Sequence, residues 1–82
     1  MYHLYILQCA DQTLYTGITT NLPRRVREHN TSARGARYTR SRRPVALVYT
    51  KQFRTRSAAA KAEYRIKQLS RSQKLALVGP LD

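Results

Sequence analysis

The sequence predicts an α/β fold in which helices pack on a three-stranded antiparallel sheet, and three features carry that prediction. Tyr2 to Cys9 and Leu14 to Thr19 are strand-like runs separated by the polar break Ala10-Asp11-Gln12-Thr13, the pattern of a hairpin. Val45 to Phe53 is a third run, rich in β-branched and aromatic residues. Between and after these runs, apolar residues recur at helical spacing. The expected order is ββαβαα in a single domain over residues 1–82.

Taken in chain order, Tyr2 to Cys9 is apolar on both faces, which suits a central strand. Gly17 inside the second strand predicts a bulge or a close backbone approach. Thr20-Asn21-Leu22-Pro23 is a helix start, with a capping side chain and proline in the first turn. That helix is expected from Pro23 to His29 or Asn30, with Leu22 and Val26 on its buried side. Residues 31–43 have no apolar period and predict a loop closed by Pro44. Ser57 is the expected cap of a helix from Ala58 to about Leu69, where Ala59, Ala62, Ile66 and Leu69 fall on one stripe. Ser70 or Ser72 starts a last short helix over Gln73 to Val78, stopped by Gly79-Pro80.

Size and composition narrow the function. A chain of 82 residues buries only about 60–65% of its unfolded surface, enough for one modest core. No apolar run approaches the roughly 18 residues that cross a bilayer. The start, Met1 to Leu7, shows neither a basic leader nor a cleavage site, so a cytoplasmic protein is the expectation. The single cysteine, Cys9, excludes an internal disulfide and a cysteine-based zinc site. Sixteen Lys and Arg against four Asp and Glu give a formal charge of +12. Most of these cations are arginine, whose planar fork matches phosphate. An excess this large repels itself in the compact state, and a polyanion relieves it. Nucleic acid is the expected partner.

Several residues are candidates for chemistry. Tyr5 and Tyr15 lie on strands that pair across one short turn, so they serve either as core tyrosines or as hydroxyls at one point of a site. Arg25 and His29 share a helix face at i and i+4. That spacing fits either phosphate handling or a solvated basic helix whose histidine complements the dipole. Arg24 and Arg27 point elsewhere. Among the four acids, Asp11 sits in a turn, Asp82 is terminal, and Glu28 lies among arginines that pair with it. Glu63, mid-helix beside the apolar stripe, is the remaining carboxylate. It is either a metal ligand or the i,i+4 partner of Lys67. Arg34, Arg37, Arg40, Arg42 and Arg43 surround Tyr38, a composition suited to backbone tracking with one stacked base.

In order, His3-Leu4-Tyr5, Tyr15-Thr16-Gly17 and Asn21-Leu22-Pro23-Arg24-Arg25-Val26-Arg27-Glu28-His29-Asn30 resemble the motifs of the GIY-YIG nuclease superfamily. Gly35 to Arg40, Pro44 to Tyr49 and Ala62 to Leu69 extend the likeness along essentially the whole chain. They resemble the small stand-alone bacterial YhbQ-like branch, itself similar to the nuclease domain of Slx-type structure-specific endonucleases. The first motif reads His-Leu-Tyr rather than Gly-Ile-Tyr. An asparagine that follows the glutamate helix in some relatives has no clear match, with Lys67 nearest.

The resemblance implies the same sheet and helices, and hydrolysis of a DNA phosphodiester with one divalent metal, Mg²⁺ or Mn²⁺. It implies Tyr5, Tyr15, Arg25, His29 and Glu63 as the catalytic set. One tyrosine would be the base, Arg25 would stabilise charge on the phosphate, His29 would assist positioning and Glu63 would hold the metal. Gly17 would let the backbone pass close to the site. Arg24, Arg34, Arg37, Tyr38, Arg40, Arg42, Arg43 and Lys67 are the expected nucleic-acid contacts. A structure-directed endonuclease of repair or recombination follows, acting on branched or nicked DNA as a monomer, with a protein partner as one source of specificity. The rival reading is a non-catalytic nucleic-acid-binding module of the same fold; a ribosome-associated RNA binder is a third.

Overall fold

In the computed structural model, which describes residues 1–79, β1 (Tyr2–Gln8) is the middle strand of the sheet and carries most of the core. Leu4, Tyr5, Ile6 and Leu7 are all buried. Burying an aliphatic side chain of this size contributes about 1.5–3 kcal/mol, so β1 is the strand around which the domain closes. β2 (Leu14–Thr19) and β3 (Ala46–Phe53) flank it, both antiparallel, in the order β2-β1-β3. The hairpin turn is held by the Asp11 carboxylate, which accepts from the Thr13 amide and hydroxyl at 3.1 and 2.6 Å.

The two faces of β1 are covered differently. Tyr5 and Leu7 join Cys9 and Val45 in one cluster, with Tyr15, Leu22 and Val26 packed against it. The last two come from α1 (Leu22–Thr31), capped by Asn21, whose side chain accepts from the Arg24 amide. The other face packs against α3 (Arg56–Lys67), leaving an apolar cavity of about 300 Å³ lined by residues such as Leu4, Tyr49, Phe53, Ile66 and Leu77. Leu77 belongs to α4 (Arg71–Val78), whose start is a reciprocal capping box of Ser70 and Gln73. No helix among the described residues is long and apolar enough to cross a membrane.

Several sequence expectations are corrected. Residues 31–43 are not all loop: α2 (Arg37–Arg40) forms one short turn of helix, so the order is ββααβαα. Its anchor is a buried threonine, Thr39, rather than an apolar stripe. Thr55, not Ser57, caps α3, because its hydroxyl accepts from the Ala58 amide at 3.1 Å. Gly17 is not bulged. It stands opposite Tyr5 in regular pairing, and the register shift lies between Ile6 and Leu7 on the β3 side. The expected stop at Pro80 and the terminal Asp82 lie outside the described residues.

Candidate active site

Tyr5 is the floor of the site, and Gly17 is the reason it fits. A Cβ at position 17 would stand 2.5 Å from the Tyr5 hydroxyl oxygen and 2.7 Å from Cζ. The close approach expected at Gly17 is therefore that of a tyrosine ring crossing the neighbouring strand. The hydroxyl lies 2.8 Å from Nε2 of His29 on α1, and both side chains are buried. His29 also meets the Tyr15 ring at 5.2 Å between centroids, so strands and helix bring three of the expected residues together. The alternative of a solvated basic helix with a merely capping histidine does not fit this burial.

Burial pushes the Tyr5 hydroxyl up to about 12, with the charge of Arg25 opposing that shift and those of Tyr15 and Glu63 reinforcing it. Burial, aided by the positive charge of Arg25, holds His29 down to about 4. Both groups are neutral near pH 7. The unfolded chain protonates its histidine near pH 6.5, so between about 6.5 and about 4 only the unfolded state gains that proton. Stability is thus expected to fall as pH drops through this window, by on the order of 2–3 kcal/mol. Urea unfolding at pH 7 and pH 4.5 measures the slope, which His29→Gln should flatten.

Arg25 is half-buried. One of its nitrogens, Nη1, donates to Glu28 at 3.0 Å and to the Arg34 carbonyl at 2.7 Å. Arg25 also lies near enough to Tyr5 and His29 to influence the titration of both. Glu28 is held below the usual carboxylate range by Arg25, in keeping with its expected pairing role. Glu63 on α3 has its side chain 23% exposed and pairs with Lys67 at 3.3 Å. The ion pair anticipated as the alternative is therefore real, and it leaves the carboxylate close enough to be felt at Tyr5.

The arginine-rich stretch divides by what each side chain touches. Arg24, Arg34, Arg37 and Arg40 are exposed. Arg42 is tied to Asp11 at 2.9 Å and lies 4.0 Å over the Tyr38 ring, while Tyr38 also stacks beside Tyr15. Tyr38 thus links α2 to the site and offers less open face for a base than its sequence context implied. Arg43 departs furthest from the expected nucleic-acid contact. Its guanidinium donates to the carbonyls of Glu28, His29 and Ser32 at the end of α1, where cation and helix dipole attract. Arg43→Ala should lower unfolding stability by about 2 kcal/mol, since several charge-assisted bonds are lost, which urea denaturation would show.

Sequence reasoning passed over three residues. Thr39 meets Nδ1 of His29 at 2.8 Å; a lone threonine in a polar run carries no sequence signal for this. Asn30 pins the start of β3 by exchanging two hydrogen bonds with Val45, at 2.7 and 3.0 Å. Tyr64 is an aromatic on the outer side of α3, 66% exposed, and only its place beside Glu63 marked it.

The strands thus supply two tyrosines, the first helix a histidine and an arginine, and α3 a glutamate whose charge is felt at Tyr5. The family model of the GIY-YIG catalytic domain matches residues 1–76, and the chain belongs to that family. It is 68% identical to the UPF0213 protein of Desulfotalea psychrophila over 92% of this chain and 68% of that protein. Against the UPF0213 protein of Halobacterium salinarum the identity is 56%, over 94% and 99%. Among solved structures, the solution NMR structure of a protein from E. faecalis superposes with a TM-score of 0.65 at 46% identity, covering 94% of this chain and 81% of that one. The solution NMR structure of the UPF0213 protein from Bacillus halodurans gives 0.61 at 46% identity, covering 95% and 83%.

Proposed function

We propose that this chain is a divalent-metal-dependent DNA endonuclease, directed by DNA structure rather than sequence, that serves repair or recombination in the cytoplasm. The observation that carries this reading is the convergence of Tyr5, Tyr15, Arg25 and His29, with the charge of Glu63 reaching the same hydroxyl. Tyr15 is half-buried whereas Tyr5 is 1% exposed, so Tyr15 is the hydroxyl within reach of an attacking water. Arg25 faces the charge that builds on the phosphate. Exposed Arg24, Arg34, Arg37 and Arg40 hold the DNA backbone.

Among the described residues, no three acidic, histidine or cysteine side chains gather as a metal cluster. Mg²⁺ needs no such cage; about one or two carboxylates, waters and substrate phosphate oxygens satisfy it. Glu63 fits that limited demand and would hold the ion, Mg²⁺ or Mn²⁺. When bound, the cation supplies charge neutralisation and Lewis acidity at the phosphate. Lys67, freed from Glu63, becomes available to the DNA backbone.

One observation favours the rival reading of a non-catalytic binding module: Glu63 already has a partner in Lys67. Incubation with branched, flapped and nicked DNA in Mg²⁺ or Mn²⁺ separates the two. Cleavage supports the nuclease; salt-steep binding with every strand left intact supports the module. The same experiments, with sizing of the free protein, test its action as a monomer without a specificity partner.

Open aromatic surface lies on α3 rather than at Tyr38. Tyr64→Ala is expected to weaken binding of single-stranded DNA roughly tenfold, the scale of one lost base stack, while Tyr64→Phe keeps it. Fluorescence anisotropy with a labelled oligothymidine reads both.

A further inference from the structure

Three separate stretches of the chain meet in a polar cleft beside the site and bring two cations to it. The cleft has a volume of about 210 Å³ and is lined by Thr13, Leu14, Tyr38, Arg71 and Lys74. Thr13 and Leu14 belong to the hairpin turn and the start of β2, Tyr38 to α2, and Arg71 and Lys74 to α4. The two cations are i and i+3 on α4 and so share a face. Among the described residues neither has an ion-pair partner. Asp11, the acid bonded to Thr13, is already matched by Arg42 at 2.9 Å. Arg71 is also the first residue of α4, whose opening turn holds no acid, and the positive end of a helix dipole disfavours a cation there. The fold therefore gathers positive charge at this cleft and leaves it without an offset.

Tyr38 joins the cleft to the site. It stacks beside Tyr15 at 5.8 Å between centroids, and Tyr15 meets His29 at 5.2 Å. With Arg42 over its ring, what Tyr38 has to offer an anion is its phenol O–H, a hydrogen-bond donor. We propose that this cleft holds a second backbone phosphate of the bound DNA strand, beyond the one at Tyr15 and Arg25. The arginine fork of Arg71 matches two phosphate oxygens, and Lys74 adds a point charge. A phosphate there offsets the repulsion among Arg71, Lys74 and the helix end. The strand then runs from Tyr15 across Tyr38 to α4, which gives the last helix a part in binding. This inference rests on the DNA-binding half of the proposed function and not on cleavage.

Fluorescence anisotropy with a labelled oligothymidine, repeated over a range of salt, tests the cleft. The double variant Arg71→Gln/Lys74→Gln should raise Kd roughly tenfold near about 0.1 M salt and make the salt slope shallower by about one, as for one lost phosphate contact. Its melting temperature should stay or rise slightly, because a cation leaves a helix N-terminus. The matched control Arg54→Gln/Arg56→Gln removes the same charge at the opposite end of the sheet, where Phe53 pairs with Tyr2. It also takes an arginine from the first residue of a helix, α3. Its slope should hardly change, since exposed charges more than about 10 Å away are screened. Equal losses in the two double variants would mean general charge alone and overturn the cleft. In the wild type, the amide signals of Leu14, Tyr38 and Lys74 should shift when the oligothymidine is added. Shifts there with inorganic phosphate and none with DNA would mark a free-phosphate site and also overturn it. A protein that shows the expected losses and cuts no strand upholds the cleft and counts against the nuclease reading. One that cuts DNA and keeps wild-type affinity in Arg71→Gln/Lys74→Gln does the reverse.

Discussion

Glu63→Gln is expected to slow DNA cleavage by roughly a thousandfold while leaving the domain folded and its DNA affinity intact or slightly raised. The rate loss follows from removing the carboxylate proposed to hold the cation. A cation contributes several kcal/mol to a phosphoryl transition state, and each ~1.4 kcal/mol is a factor of ten in rate. The fold should tolerate the change because glutamine has the same shape and only a partly exposed pair with Lys67 is lost, worth a few tenths of a kcal/mol. Affinity should not fall, since one negative charge leaves a surface that meets phosphates. Cleavage time courses, thermal unfolding and anisotropy on the same preparations separate the three effects. Unaltered cleavage would sink the assignment of Glu63.

Gly17→Ala is the second large effect, and it works through Tyr5. The added methyl would stand 2.5 Å from the hydroxyl oxygen and 2.7 Å from the ring carbon bearing it. Neither partner yields easily. Position 17 is fixed by regular pairing with β1, and the Tyr5 ring is buried and bonded to His29. Overpacking of this kind costs about 1–3 kcal/mol, which for so small a domain lowers the melting temperature by roughly 10 °C. The ring must also leave His29, so cleavage should fall beyond what the stability loss explains. Measuring kcat well below the variant's own melting temperature checks this; a folded Gly17→Ala protein at wild-type rate would contradict it.

How far the sequence revealed this structure depends on the kind of interaction. β1, β2 and α1 were readable because their signals are local: apolar runs, a polar turn, and Asn21 before Pro23. The central place of β1 followed from its being apolar on both faces. α2 escaped because its hold on the domain is Thr39 meeting His29, ten residues apart with no apolar period between. The α3 cap was misplaced by two residues because threonine and serine are equally good caps, and only the Thr55 hydroxyl points at a free amide.

The site shows the same division. Ordered motifs grouped Tyr5, Tyr15, Arg25, His29 and Glu63; in the structure Tyr5, Tyr15 and His29 meet, and Arg25 and Glu63 lie near enough to influence Tyr5. Pairwise geometry was not legible. Composition cannot tell an arginine that holds a helix end, as Arg43 does, from one left for phosphate, as exposed Arg37 and Arg40 are. Nor does it tell that Arg42 covers Tyr38 while Tyr64 stands open.

Central to the proposed function is that the Glu63 carboxylate, whose charge is felt at Tyr5, places a single cation. Paramagnetic broadening of backbone amide signals by Mn²⁺, with a short DNA duplex bound, tests it most directly. At low Mn²⁺, signals around Glu63, Tyr5, Gly17 and Tyr15 should broaden together, and Glu63→Gln should abolish the effect. Broadening centred on Asp11 or Glu28, or unchanged in Glu63→Gln, would contradict the account.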